Sequence, residues 1–384
     1  MAKKKYYGKF VSFLLCLFIT LFGFALGLGG LYFYKTSSEI AQIKVYTLGE
    51  ISFHFLELGN ENTGDCTYIK AGEADILIDA GSNYTSIPTI TAYINSQVKD
   101  KKLEYVIVTH AHKDHYAGFA TNFATESIFD KYAIGTIIDF AQTEKGKTSQ
   151  DMYKNYQREL SEAVERGAKH YTALDCVNKT NGATNTYELS KDITMTILNQ
   201  RFYAEQDKDN ENNHSVCTLF THGDKNFLFT GDLDKEGEES LVSLNNLPKC
   251  ELYKAGHHGS KTSSNEVLLE KIQPNICCVC CCAGNVEYTQ NLNNTFPTQD
   301  FINRISKYTD RVYVTTLGPI VATGEKNKDG SDKYKNDGHR SLNGNIVVTS
   351  TASTTEVNCS NNNIKLKDTD WFKKYRKCPT EWVA

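Results

Sequence analysis

A run of β-branched residues ending in a knot of histidines constrains this chain more than any other feature. Residues 106–115 read VIVTHAHKDH, so His110, His112, Asp114 and His115 crowd into six positions directly after an apolar stretch. Imidazoles and carboxylates packed this tightly cost solvation and gain nothing unless something binds among them. His110 and His112 stand at i and i+2 beyond a strand end, where a sharp turn aims both at one point. Asp114 and His115 then serve a second point a few ångströms away. Neutral imidazoles and a carboxylate suit Zn²⁺, Mn²⁺ or Fe²⁺. The pattern predicts a metal site at the carboxyl end of a buried strand, where open α/β sheets place their ligands.

The flanking chain supports that class. ISFHFLEL (51–58), CTYIKAG (66–72) and ADILIDAG (74–81) read as short strands broken by Gly, Asn and Asp. Residues 86–100 have helical periodicity, and YVIVTH (105–110) is the strand that meets the histidines. Further on come a polar-faced helix (150–168), a strand (192–199), a polar loop (205–215) and a hairpin with strands at 216–221 and 226–230. Helices are expected at 263–273 and 298–308, and RVYVTT and GNIVVTS are expected to close one late sheet. CCVCCC at 277–282 has the look of a cluster site, but strand neighbours alternate faces and cannot converge on one ion. It reads instead as a buried strand that uses cysteine as a small apolar residue. Strands and helices alternate twice, predicting two β-rich halves with helices outside.

HAHKDH resembles the HxHxDH signature of the metallo-β-lactamase superfamily, and the similarity runs over roughly residues 50–350. ILIDAG is similar to the strand that ends in an aspartate standing behind the ligands, here Asp79. LFTGD is similar to the segment with a bridging carboxylate, here Asp232. KAGHHGSKTS is similar to the last ligand motif, with His257 the expected ligand and His258 its neighbour. Within the superfamily, these motifs look most like the hydrolase domain of DNA-uptake competence channels (ComEC type), and phosphorylcholine esterases share much of the pattern. The resemblance implies a four-layer αββα sandwich of the α/β class. It also implies two divalent ions, Zn²⁺ or alternatively Mn²⁺, held by His110, His112, Asp114, His115, Asp232 and His257. Asp114 and Asp232 would be the catalytic carboxylates. Such an ion pair lowers the pKa of a bridging water and stabilises charge on an attacked phosphoryl or acyl centre.

Two departures matter. Most dinuclear members carry another histidine before the bridging aspartate, whereas the stretch here is ENNHSVCTLF. His214 falls at the variable place, either as a ligand or as a loop histidine. Competence channels also have a multi-helix pore, and this chain has one apolar span, so DNA transport by it alone is not expected. His258, Ser260, Lys261 and Thr262 flank the expected ligand and either hold a metal or phosphate or simply turn the chain, with Ser263 or Ser264 capping the next helix. Asp65 in TGDC resembles the family's early GD and reads as a turn residue or one standing behind the ligands, not as a ligand. His54, His170, His222 and His339 read as structural.

The apolar span is FVSFLLCLFITLFGFALGLGGLYFY, residues 10–34, without a charge. As a helix it rises roughly 37 Å, enough to cross a bilayer. Lys3, Lys4, Lys5 and Lys9 precede it, so the positive-inside bias keeps the N-terminus in the cytoplasm and sends the rest across. A cleaved signal peptide is the alternative. The expected layout is a basic segment (1–9), a transmembrane helix (10–34), a linker (35–49), the hydrolase domain (50–350) and a C-terminal tail (351–384). In the tail, LKDTDWFKKYRK is expected to pack Trp371 and Phe372 on the domain; Cys359 and Cys378 could form a disulfide if the domain is extracellular, which their spacing does not decide. A net charge of −4 gives no support for broad attraction to nucleic acid. The sequence thus predicts a single-pass cytoplasmic-membrane hydrolase with its domain outside, acting on a phosphodiester: DNA, teichoic-acid phosphorylcholine or a small molecule. An acyl hydrolase of lactonase or β-lactamase type, or a non-catalytic metal-binding surface protein, are the alternatives. Beyond the bilayer and the substrate, no protein partner is identifiable.

Overall fold

Strand alternation explains the architecture. In the strand Ile276–Ala283 (ICCVCCCA), every residue is buried. Ile276, Cys278 and Cys280 face one apolar core, while Cys277, Val279, Cys281 and Ala283 face another. A strand covered on both faces reads as a continuous apolar run, and its neighbours on both sides are parallel, as such strands usually are. The cysteines are therefore packing residues, and every cysteine among the described residues is a free thiol, Cys359 and Cys378 included.

The computed structural model describes residues 49–121, 125–144, 151–351 and 353–383. Along this chain lie β1 (Ile51–Phe55), β2 (Thr67–Ala71), β3 (Ala74–Ile78), β4 (Lys102–Val108), β5 (Ala133–Asp139), β6 (Lys169–Thr172), β7 (Thr186–Ser190), β8 (Ile193–Ile197) and β9 (Thr218–His222). They are followed by β10 (Lys225–Phe229), β11 (Leu252–Lys254), β12 (Ile276–Ala283), β13 (Val312–Leu317), β14 (Ile320–Lys326), β15 (Asp332–Asn336), β16 (Arg340–Ser341), β17 (Ile346–Ser350) and β18 (Thr355–Cys359). Among the described residues they form two eight-stranded mixed sheets, ordered β18-β17-β1-β2-β3-β4-β5-β6 and β16-β13-β12-β11-β10-β9-β8-β7, and a separate β14–β15 hairpin.

The sheets face each other across aromatic packing. The Phe53 ring of β1 lies 4.6 Å from Phe227 and 5.5 Å from Phe220 in the opposite sheet. Truncating such a ring costs about 3–5 kcal/mol, so Phe53→Ala would test this contact directly. The other face of β1 carries His54, which bonds Ser52 Oγ at 2.8 Å and the hydroxyl of Tyr93, in the helix Ile87–Gln97, at 2.6 Å. That helix buries Ile87, Ile90 and Ile94, the i, i+3, i+7 stripe expected of it. Outside the second sheet, Leu241, Leu268, Leu269, Phe301 and Ile302 bring three helices onto the outer core. The order is helices, sheet, sheet, helices.

One expectation needs correction. RVYVTT and GNIVVTS do not close one sheet: β13 belongs to the second sheet, while β17 pairs with β1 in the first. Past residue 350, β18 pairs with β17, and Phe372 and Trp382 are buried in the outer core with Trp371 packed beside them, as expected of Trp371 and Phe372. Among the described residues no helix is long and apolar enough to cross a membrane. The expected span at 10–34 lies outside the described residues, as do the basic segment and nearly all of the linker.

Candidate metal centre

The last turn of β4 shows how local folding builds the site. Val106, Ile107 and Val108 are fully buried between parallel neighbours β3 and β5. The chain then leaves the sheet at Thr109 and enters a short helix, Lys113–Tyr116, with an extended His112 at its N-terminus. This turn brings His110 Nε2 to 3.0 Å from His112 Nδ1. Asp79 stands behind it, just beyond β3, in the left-handed region (φ 58°). Its carboxylate accepts the Thr109 N–H and hydroxyl, each at 2.8 Å, and the Nδ1–H of His115 at 2.8 Å. A carboxylate on Nδ1 fixes the imidazole orientation and turns Nε2 outward, as in metal-bound histidines.

The second sheet supplies the facing groups. After β10 comes Thr230-Gly231-Asp232, with Gly231 at φ +55°. A Cβ on Gly231 would lie 2.8 Å from Ser215 Oγ and 3.0 Å from Thr109 Cβ, so glycine allows this strand end to approach β4. Asp232 donates its N–H to Ser215 Oγ (3.1 Å) and places Oδ2 3.0 Å from His115 Nε2. His257 and His258 both adopt left-handed backbone (φ 47° and 54°) beyond β11. His258 donates Nδ1–H to the Cys280 carbonyl at 2.9 Å, leaving Nε2 3.4 Å from Asp114 Oδ2 and 3.3 Å from Asp232 Oδ2. The β12 backbone thus selects the tautomer of a site residue.

Charge is concentrated here. Burial works against ionisation of Asp114, but the neighbouring His258 and His115 outweigh it and hold the carboxyl well below its usual range. Asp232 is likewise held low against burial by His115 and His258. Burial, reinforced by His115 and His112, keeps His110 neutral. Nε2 of His258, Oδ1 of Asp232 and Oδ1 of Asp65 are buried without a hydrogen-bond partner. Such atoms are costly unless something fills the space between them. Three-residue sets with ligand atoms within 4.8 Å of one another include His110/His115/Asp232 and Asp114/His115/His258. This donor set fits a divalent cation.

Of the adjacent histidines, it is His258 that joins the cluster, not the expected His257. His257 is 24% exposed and lies 3.4 Å from Asp234 and 3.1 Å from Thr262 Oγ1, at the wall of a cleft. His214 is buried but turned away: its Nε2 accepts the Asp207 N–H at 3.0 Å, tying the 205–215 loop to itself. Ser260 bonds Thr262, and Lys261 is exposed. Neither Ser263 nor Ser264 caps the helix Glu266–Ile272, whose N-cap position is held by Asn265. Ser263 donates instead to Asp234, and Glu238 accepts the backbone N–H groups of Ser264 and Asn265. Arg304 donates to the carbonyls of Lys261, Ser263 and Ser264, so this loop is held from both sides.

Asp65 stands behind the donors, one of the two places expected of it: it is buried, pairs with Lys254, and places Oδ1 3.2 Å from His258 Nδ1. Two further residues were not anticipated. Lys254, the last residue of β11, is itself buried; a lone lysine in the apolar stretch before HHG was the available signal. Tyr288, 54% exposed on a loop remote in sequence, donates its hydroxyl to Asp114 Oδ2 at 2.8 Å and carries no such signal. Above the cluster lies an open cleft of about 820 Å³ whose lining includes His112, Lys113, Asp114, His257, Tyr288 and Phe296.

Comparison with known proteins agrees with this site. Residues 59–170 match the family model described as Metallo-beta-lactamase superfamily. ComE operon protein 3 of Bacillus subtilis (strain 168) is 28% identical over 143 residues, 37% of this chain and 17% of that protein. Recombination protein 2 of Haemophilus influenzae is 29% identical over 111 residues, 29% of this chain and 13% of that protein. Exodeoxyribonuclease WalJ of Streptococcus pneumoniae serotype 2 is 31% identical over 71 residues, 18% of this chain and 26% of that protein. The chain therefore spans only 13% to 26% of the length of these relatives. β4, its histidine turn and Asp79 all lie inside the segment that matches the metallo-beta-lactamase superfamily model.

Proposed function

We propose that this chain is a metal-dependent phosphodiesterase whose domain is held outside the cytoplasmic membrane by residues 10–34. The observation that supports it best is the buried histidine–aspartate cluster at the floor of an open cleft. In this reading His110, His112 and Asp232 hold one divalent ion, and Asp114, His115 and His258, with Asp232 shared, hold another. Zinc and manganese both suit these donors. Ions held there supply Lewis-acid charge and a more acidic water. The chain's own contribution is orientation. Asp79 and the Cys280 carbonyl aim His115 and His258, and Tyr288 and His258 fix Asp114, the group placed to direct a nucleophile. Lys113 and His257 in the cleft lining are available to phosphate oxygens. A relative named as an exodeoxyribonuclease favours phosphodiesters over acyl substrates, as does His214 being turned away from the cluster.

The test is hydrolysis by the full chain of bis-p-nitrophenyl phosphate, single-stranded DNA and p-nitrophenylphosphorylcholine, with the β-lactam nitrocefin alongside. Cleavage of a phosphodiester, abolished by EDTA and restored by Zn²⁺ or Mn²⁺, is expected. Nitrocefin hydrolysis without phosphodiester cleavage would overturn the assignment. The membrane placement is tested separately, by protease added to intact cells: the domain should be shaved off, and protection until lysis would reverse the orientation.

A further inference from the structure

Lys254 occupies an unusual position for an ammonium group. Its side chain is 3% exposed, at the end of a strand paired on both sides. Removing such a charge from water costs several kcal/mol unless carboxylates compensate. Two do: the ammonium is ion-paired with Asp65 Oδ2 and lies 3.7 Å from Asp232 Oδ1, with the Gly231 carbonyl at 3.5 Å.

The consequence lies in how Asp232 is divided. Oδ2 is turned toward His115 and His258, whereas Oδ1 accepts no hydrogen bond and has the ammonium as its nearby cation. A carboxylate can offer a separate oxygen to each of two ions, and here one of the two oxygens already faces a fixed positive charge. We infer that Lys254 is a resident cation of the centre, a positioning residue that holds Asp65 and Asp232 in place and competes with a second divalent ion for Asp232 Oδ1. The inference rests on the cation reading of the cluster proposed above. It implies one ion bound tightly and a second bound weakly, with the lysine setting the difference.

Co²⁺ titrated into metal-free full-length protein, followed by visible absorption, tests it alongside thermal unfolding of the metal-free form. Lys254→Met should bind the second Co²⁺ at least about tenfold more tightly, because a like charge within a few ångströms has been removed. The same variant should unfold at a lower temperature when metal-free. Lys254→Arg, which keeps the charge, should bind Co²⁺ as the wild type does. A merely structural lysine would move both readouts downward, so unchanged or weaker Co²⁺ binding in Lys254→Met overturns the inference. Should that variant fail to fold, Asp65→Asn/Lys254→Met removes one charge of each sign. It should bind Co²⁺ more tightly than Asp65→Asn alone, and equal or weaker binding overturns the inference equally. Wild-type protein that takes up no Co²⁺ would remove the cation reading itself, an outcome distinct from a wild type that binds and a variant that gains nothing.

Discussion

His115 and Asp232, 117 residues apart in the chain, meet at 3.0 Å where the ends of β4 and β10 face each other. Neither sheet holds a complete donor set: His110, His112, Asp114 and His115 follow β4, while Asp232 and His258 follow β10 and β11. The centre therefore depends on the contact between sheets, and the following experiments probe its parts.

His258→Ala and His257→Ala should separate cleanly. Loss of His258 Nε2 from the cluster should reduce hydrolysis at least about 10³-fold, the range of a lost principal electrostatic contact, and lower metal content. His257→Ala should retain its metal and raise KM more than it lowers kcat. His214→Ala should reduce stability with metal content unchanged. Metal analysis and steady-state rates on all three decide the matter; a His257→Ala protein that loses metal as His258→Ala does would falsify the ligand choice.

Asp79 stands behind the donor cluster, where it holds the Nδ1 side of His115 and the Thr109 turn. Asp79→Asn keeps the shape and removes the charge. Metal affinity should fall about 10- to 100-fold, as for other partners behind metal-bound histidines. Competition with a chelator would measure it, and an unchanged affinity would show that the turn alone orients His115.

Gly231→Ala adds a methyl group 2.8 Å from Ser215 Oγ at a backbone angle of φ +55°. The expected cost is about 1–3 kcal/mol, from strain and overpacking together. Because Asp232 is the next residue, metal affinity should fall with stability. Unfolding in urea, with and without metal, reads both, and a variant as stable as wild type would mean the strand end shifts freely.

His170 offers a pH test outside the metal cluster. Its Nε2 lies 2.8 Å from Asp139 Oδ1. Burial works against its charge, but the hydrogen bond and charge of Asp139 prevail and raise its pKa. A folded pKa above the unfolded value of about 6.5 makes the stabilisation complete below the unfolded value and lost as pH rises through the folded one. His170→Gln should thus cost more stability near pH 5 than near pH 9, by at most about 1 kcal/mol at this partly exposed position. Equal costs in urea unfolding at the two pH values would show that the pair contributes nothing.

Local pattern made much of this legible in the sequence, and distance in the chain hid the rest. β4, its histidine turn, the β9–β10 hairpin and the buried cysteine strand follow from alternation and turn chemistry within a dozen residues. The choice between His257 and His258 does not, because two successive left-handed residues decide which ring turns inward, and spacing is silent on that. Lys254 escaped notice because a charge in a strand ordinarily marks a solvent-facing position. Tyr288 reaches Asp114 across 174 residues, and β17 joins β1 across nearly the whole domain. Such pairings are fixed by packing of the assembled sheets, not by any neighbouring signal.

The last thirty residues also decide where this chain can be cut. β18 covers the open edge of β17, and Arg376 donates to the carbonyls of Leu292, Thr295 and Pro297, bracketing Phe296 at the cleft. A fragment ending at residue 350 would expose a bare strand edge, a template for association between molecules. It would also release the loop that shapes the mouth of the cleft. Engineered truncations and fusions should therefore leave residues 353–383 intact, and a protease that clips within them should leave a sticky, poorly active product even though every metal-binding side chain is still present.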